Sequence, residues 1–120
     1  MKLQESAENY LETILVLSKK SSFVRSIDIA EALNFSKPSV SVAMKKLSQG
    51  GFINVAKDGA ITLTDKGLHT AEKIYDRHIF LTNWLIGIGV DEDIASKDAC
   101  RMEHIISQQT IEALKKHYEK

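Results

Sequence analysis

The sequence predicts a mainly α-helical protein, with an N-terminal winged helix-turn-helix followed by a second helical domain. Three observations support this fold class. Apolar residues recur at helical spacing, a short and a longer helical pattern flank a tight turn near Asn34, and a hairpin pattern follows directly. We place the boundary between the predicted domains at residue 70, which gives domains of residues 1–70 and 71–120.

The composition is that of a folded protein without an overall charge. Of the 120 residues 43% are hydrophobic, and 16 basic and 16 acidic side chains give a formal net charge of +0. A nucleic-acid surface must therefore arise from local segregation of charge. The single cysteine excludes an internal disulfide, the N-terminus lacks the apolar run of a signal peptide, and no apolar window is long enough to span a bilayer. We expect a cytoplasmic protein without a membrane partner.

The first three predicted helices are marked by the residues at their ends. The apolar stripe of residues 5–20 predicts an amphipathic helix. Ser26 is suited to cap a short helix over Ile27–Ala32, and Ser36 to cap a longer helix that ends at a glycine pair. Asn34, which tolerates the left-handed conformation, lies in the turn between the two helices.

The pattern after the glycine pair predicts a wing and then three more helices. Strands are predicted at residues 52–55 and 60–63, with a glycine in the turn between them. Thr64 is suited to cap a long helix that two glycines end. Of the last two helices, one carries residues 100–104 and the other begins after Ser107. A hairpin directly after a helix-turn-helix is typical of a winged helix.

The second helix of the helix-turn-helix is predicted to enter the major groove of DNA. In this motif the N-terminal side chains of that helix face base edges, and basic residues further along contact phosphates. The segment from Arg25 to Lys66 has six basic and four acidic residues, so it is net +2 and the remainder is net −2. Winged helices also mediate protein contacts, which is the alternative. The predicted DNA-contacting residues are Arg25, Ser36, Lys37, Pro38, Ser39, Ser41, Val42, Lys45, Lys46 and Lys57.

Three ligand types are predicted to share one face of the helix that carries residues 100–104. Cys100, Glu103 and His104 stand at i, i+3 and i+4, within reach of one another. A thiolate, a carboxylate and an imidazole that converge are typical ligands of a divalent transition metal. The sequence therefore predicts a metal site here.

Further ligand types lie on two other predicted helices. Asn9 and Glu12 are three residues apart on the first helix, and His78 lies on the long helix. The apolar stripes favour contact between these helix faces, and a carboxylate beside a core needs a cation to offset its desolvation. We therefore add these three residues to the predicted metal site. Taken singly, each candidate ligand of the whole predicted site has a structural explanation. His78 can be a hydrogen-bonded histidine, Cys100 a small buried side chain, and the others part of a solvated polar face.

The sequence does not predict catalysis. Cys100 and His104 are of the types that form a nucleophile and a base, but helical neighbours offer no oxyanion donors and no third orienting group. A hydrolytic metal site needs a substrate cleft, and a short chain with a wing has little room for one, so we expect no small organic substrate. The alternative function is a winged-helix regulator that needs no metal and senses redox state through Cys100.

The chain resembles the diphtheria-toxin-repressor and manganese-transport-regulator family of metal-dependent transcription repressors. The resemblance spans nearly the whole chain, and its most specific part is the last of the motifs that carry it. These motifs are Glu8-Asn9-Tyr10-Leu11-Glu12, Asp28-Ile29-Ala30-Glu31-Ala32-Leu33, Ser36-Lys37-Pro38-Ser39-Val40-Ser41, Leu63-Thr64-Asp65-Lys66-Gly67, Arg77-His78 and Asp98-Ala99-Cys100-Arg101-Met102-Glu103-His104.

The resemblance implies a homodimeric repressor that binds double-stranded operator DNA and controls metal-homeostasis genes. It makes residues 71–120 a dimerisation and metal-binding domain, and it implies Fe²⁺ or Mn²⁺ as the cofactor, with Co²⁺, Ni²⁺ or Zn²⁺ as substitutes in vitro. By position, the cysteine, glutamate and histidine of the last motif match the primary metal motif, with Cys100 as the iron-type residue. His78 and Glu12 match metal positions of manganese-type members. Asn9 stands where iron-type members have Met and manganese-type members have Asp.

Overall fold

Six α-helices and one two-stranded antiparallel sheet make up residues 5–118, the part of the chain that the computed structural model describes. Their order is three helices, a β-hairpin and three further helices, which confirms the predicted mainly α fold with a wing. The bounds are α1 Glu5–Lys20, α2 Ser26–Leu33, α3 Lys37–Gln49, β1 Ile53–Val55, β2 Ile61–Leu63, α4 Asp65–Gly87, α5 Glu92–Met102 and α6 Gln108–Tyr118.

The chain divides into two units. The first ends at Glu72 and the second begins at Lys73, so the boundary falls inside α4. Each unit has fully buried apolar side chains of its own, such as Leu11 in the first and Leu81 in the second. Among the described residues, no helix has both the length and the apolar character that a membrane span requires.

The first unit is a small helical core with the hairpin against it. α1 packs against α2 and β2, α2 packs against α3, and α3 contacts β1. The buried side chains come from the apolar stripes of these elements, and burying each stabilises the fold by about 1.5–3 kcal/mol. Those that are at most 2% exposed include Leu11, Ile14, Ile29, Val40, Ile53 and Ile61.

The turn between α2 and α3 forms as predicted. Asn34 adopts the left-handed conformation with φ 57°, and Ser36 Oγ accepts a hydrogen bond from the Ser39 backbone N–H at 3.3 Å. The prediction for the start of α2 was wrong: the N-cap is Arg25, and Ser26 is the first helical residue. The reason is that the Arg25 N–H donates to the Asp28 carboxylate at 2.9 Å, so a carboxylate inside the helix does the capping.

The wing is a short hairpin that is tied to the chain before α2. β1 and β2 pair with Asn54 opposite Thr62, and Gly59 in the connecting turn has φ +89°. The Ile61 N–H donates to the Val24 carbonyl at 2.7 Å, so the segment that enters the helix-turn-helix also pairs with the wing. The β2 side of the hairpin is therefore fixed to the segment that precedes α2.

The second unit packs its helices around three fully buried side chains. Leu81 of α4, Ala99 of α5 and Ile111 of α6 form this cluster. Because alanine is small, α5 presents little bulk at this point. Larger, partly buried side chains surround the cluster, namely Phe80, Trp84, Met102, Ile106 and Leu114.

The start of α4 is bound to the loop that follows α3. Thr64 Oγ1 donates to the Gly51 carbonyl at 2.6 Å and accepts the Gly67 N–H at 3.1 Å, which confirms Thr64 as the cap. A Cβ atom at Gly67 would lie 1.9 Å from the Phe52 carbonyl oxygen. This close approach requires glycine.

We expect Gly67→Ala to lower the free energy of unfolding by about 3 kcal/mol, because the added methyl group forces α4 away from a backbone oxygen. The gain in helix propensity, at most about 1 kcal/mol, offsets only part of this cost. Urea unfolding followed by circular dichroism measures the effect. Gly87→Ala in the same helix is the control, since its Cβ would meet Tyr118 at an ordinary 3.7 Å. Equal stability of the two variants would contradict the prediction.

Candidate metal centre and nucleic-acid interface

Glu103 is the most deeply buried charged side chain in the described part of the chain, with 0% exposure. His78 Nδ1, from α4, lies 2.9 Å from its Oε2, and His104 Nε2 lies 3.3 Å from its Oε1. Within residues 5–118, Oε1 accepts no hydrogen bond. Because a carboxylate is costly to remove from water without full compensation, this oxygen is a place where a cation is stabilising.

Cys100 adds a third ligand type beside this carboxylate. One ligand atom each from Cys100, Glu103 and His104 lies within 4.8 Å of the others. The prediction that the three residues share one helix was wrong. α5 ends at Met102, Glu103 is its C-cap, and His104 lies in the turn that follows. Glu103 keeps helical dihedrals, φ −60° and ψ −26°, so the three side chains still meet.

This group of three side chains fits a divalent transition metal. Ligand atoms that are each about 2.0–2.3 Å from one ion lie no more than about 5 Å from each other, in keeping with the observed separations. Sulfur and imidazole donors suit Fe²⁺, Co²⁺ and Zn²⁺, and the carboxylate supplies negative charge. Cys100 is exposed, which gives an ion a route from solvent to the buried Glu103.

Asn9 and Glu12 lie on α1, in the first unit. Glu12 is only 8% exposed, although it carries a carboxylate, and Asn9 is half-buried. The Asn9 backbone carbonyl accepts the Thr13 hydroxyl at 2.8 Å, which leaves its side-chain amide outside that contact. The place of Asn9 and Glu12 among the ligands stays a prediction.

Arg77 is a contact of this centre to which the sequence assigned no role. It precedes His78 on α4, and its guanidinium donates to the backbone carbonyls of Glu103 and Ile106 and to the side chain of Gln108. Two of the three acceptors are backbone carbonyls, which every residue has, so no residue pattern marks them. The pairing of Arg77 with this turn appears only in the folded chain.

The helix predicted to read DNA presents a polar face to solvent. Val40, Met44 and Leu47 are buried at spacings of four and three residues, and they hold α3 to the first unit. The other side of α3 carries hydroxyls and all three of its lysines, and α3 has no acidic residue. All ten predicted DNA-contacting residues, from Arg25 to Lys57, are exposed.

Comparison with known proteins accounts for both units. The family described as "Iron dependent repressor, N-terminal DNA binding domain" matches residues 2–61. The family described as "Iron dependent repressor, metal binding and dimerisation domain" matches residues 64–120. The chain belongs to the iron-dependent repressor family. This repressor therefore combines a DNA-binding domain with a metal-binding and dimerisation domain, as metal-dependent transcriptional regulators do.

Two relatives and one solved structure illustrate the similarity of the repressor to known proteins. An uncharacterised HTH-type transcriptional regulator of Methanocaldococcus jannaschii is 37% identical over 98% of this chain and 96% of its own length. The transcriptional regulator MntR of Salmonella typhimurium is 34% identical over 92% of this chain and 70% of its own length. A manganese-dependent transcriptional repressor, solved in complex with manganese, is 28% identical with a TM-score of 0.83. The match covers 89% of the repressor and 50% of that protein, so the repressor spans about half its length.

We expect Co²⁺ to raise the melting temperature of the wild-type repressor and to leave that of Glu103→Gln nearly unchanged. At a hundredfold excess over Kd, a ligand adds about 2.7 kcal/mol to the stability of the folded state. Glu103→Gln removes the charge that attracts the ion and keeps the shape of the side chain. Asp98→Asn, the same change on α5 outside the group of three, is the control. Equal Co²⁺-induced shifts in both variants, measured by scanning calorimetry under anaerobic conditions, would contradict the prediction.

Proposed function

We propose that the protein is a homodimeric, cytoplasmic repressor of metal-homeostasis genes that binds operator DNA in response to Fe²⁺ or Mn²⁺. The observation that carries this proposal is the convergence of a thiol, a carboxylate and an imidazole around the buried Glu103. A DNA-binding role explains the exposed, lysine-bearing face of α3, and the family supplies both functions. The proposed metal ligands are Asn9, Glu12, His78, Cys100, Glu103 and His104.

Three of the proposed ligands lie close together in the second unit. Cys100 would hold the ion as the thiolate, Glu103 through the oxygen that accepts no hydrogen bond, and His104 through a ring nitrogen. His78 Nδ1 lies 2.9 Å from the other carboxylate oxygen, so it orients Glu103 and would join the ligands. Bound metal supplies a positive charge that offsets the burial of this carboxylate.

Glu12 and Asn9 enter the proposal on chemical grounds. Glu12 and Glu103 are the two buried charged residues among those described, and a buried carboxylate favours a nearby cation. Asn9 lies three residues earlier on α1, so its side chain faces the same way as that of Glu12. Ligands from α1 would couple metal binding to the conformation of the DNA-binding unit. Bound metal would then shift the population toward the form that binds DNA.

The nature of the ligands bears on which metal acts. The soft thiolate of Cys100 favours Fe²⁺, Co²⁺ and Zn²⁺ over Mn²⁺, whereas carboxylates suit Mn²⁺. A solved structure similar to this chain is a manganese-dependent repressor with manganese bound. We therefore propose Fe²⁺ or Mn²⁺ in the cell, with Co²⁺, Ni²⁺ and Zn²⁺ as substitutes in vitro.

The second unit has the apolar surface that a dimer needs. Six of its large hydrophobic side chains are exposed, and they are Ile79, Ile86, Ile88, Ile94, Ile105 and Tyr118. Exposed apolar side chains in this number within residues 73–118 favour burial against another protein surface. Because the matching family domain is one of dimerisation, we propose a second copy of the chain as the partner.

The direct test is a gel shift with the protein's own upstream promoter DNA, with chelator and then with Fe²⁺, Mn²⁺, Co²⁺ or Zn²⁺ added anaerobically. We expect binding only with metal, and its loss in Cys100→Ala and Glu103→Ala with the fold retained. Equal binding in chelator would overturn the metal switch. The exposed Cys100 would then be tested as a redox sensor, by asking whether peroxide abolishes binding in the wild type and not in Cys100→Ala.

We expect Lys45→Ala to weaken operator binding, because one phosphate contact is lost in each protomer. The slope of the logarithm of the binding constant against the logarithm of the salt concentration should become less steep by about one unit for each protomer. Lys97→Ala on α5 removes the same charge from the second unit and serves as the control. Fluorescence anisotropy at several salt concentrations gives both slopes. The assignment of α3 to DNA fails if both variants keep the wild-type slope.

A further inference from the structure

Arg77 holds the turn that carries two of the proposed ligands. Its Nη1 donates to the Glu103 carbonyl at 3.0 Å and to the Ile106 carbonyl at 3.2 Å, and its Nη2 donates to Gln108 Oε1 at 2.7 Å. These acceptors lie at the end of α5, in the turn, and at the start of α6. One guanidinium on α4 therefore fixes the course of residues 103–108.

Arg77 and His78 contact the main chain and the side chain of the same residue, Glu103. Arg77 binds the Glu103 backbone carbonyl, and His78 Nδ1 lies 2.9 Å from the Glu103 carboxylate. Successive residues of a helix project about 100° apart, so the two contacts reach Glu103 from different directions. Together they set both the position of the main chain and the orientation of the carboxylate.

The chemistry of these contacts is specific to arginine. The last carbonyls of a helix lack partners within the helix, and a cation near them is stabilised by the helix dipole. A guanidinium presents a planar fork of donors, so it binds several acceptors at once, whereas a lysine ammonium is a point charge on a flexible stem. The buried Arg77 Nε–H donates to no acceptor among the described residues, an energetic cost that a solvent-exposed arginine does not bear.

We propose that Arg77 is a positioning residue of the metal centre: it holds Glu103 and His104 in the arrangement that binds the ion and thereby sets metal affinity. The inference rests on the proposed function, since it takes Cys100, Glu103 and His104 as ligands. Side chains that orient metal ligands without touching the metal commonly contribute 10–100-fold to affinity. We expect a loss in this range when the fork is removed.

The experiment is an anaerobic Co²⁺ titration of the whole 120-residue chain, followed by the absorption of thiolate-bound Co²⁺ and by the visible bands that report coordination geometry. Arg77→Gln removes the charge and the fork, and Arg77→Lys keeps the charge alone. Lys73→Gln, an exposed site one helical turn earlier on α4, removes the same charge without touching the turn. We expect about 10–100-fold weaker binding and altered visible bands in both Arg77 variants, and neither change in Lys73→Gln.

The outcomes separate the two proposals. No Co²⁺ binding by the wild type would refute the metal site itself. Wild-type affinity and bands in both Arg77 variants would overturn the positioning role and leave the metal site standing. Circular dichroism of the metal-free variants covers folding: if neither Arg77 variant folds, or if both lose stability yet keep the wild-type bands at saturating Co²⁺, Arg77 is a structural residue and the proposal is wrong.

Discussion

The burial of the Glu103 carboxylate is the constraint on which the second unit depends. A charge with 0% exposure is unfavourable unless other groups compensate it. Here the His78 imidazole contacts one carboxylate oxygen, and the His104 imidazole lies 3.3 Å from the other oxygen without hydrogen bonding to it. One of these imidazoles comes from α4 and the other from the turn after α5. The carboxylate thus joins segments 25 residues apart in sequence.

The helix α4 contributes different contacts along its length. At its start, Thr64 and Gly67 bind the loop after α3, where the approach of backbone atoms is too close for any side chain. Further along, in the second unit, Arg77 and His78 bind Glu103, and Leu81 enters the core cluster. The start of α4 therefore contacts the loop after α3 in the first unit, and its later residues contact the candidate ligands in the second unit. Its sequence must satisfy both demands at fixed spacing.

The sequence was most informative where one residue determines the local structure. Asn34 in the left-handed region and Ser36 and Thr64 as caps all follow from the side chain concerned. The hairpin after α3 follows from two short strand patterns with a glycine in the turn between them. It was less informative where side chains compete, as when Asp28 caps α2 in place of Ser26, because both residue types are suited to that task. It also placed His104 inside a helix that ends at Met102, since periodicity does not mark the exact end of α5.

The position of the tryptophan has a practical consequence for experiments on folding. Trp84 is the chain's only tryptophan, and it packs against the buried cluster of the second unit. Its emission is therefore an intrinsic optical probe of that unit alone, whereas far-ultraviolet circular dichroism weighs the helices of both. Comparing the two signals through one denaturation shows whether the units unfold together or in sequence, with no label attached.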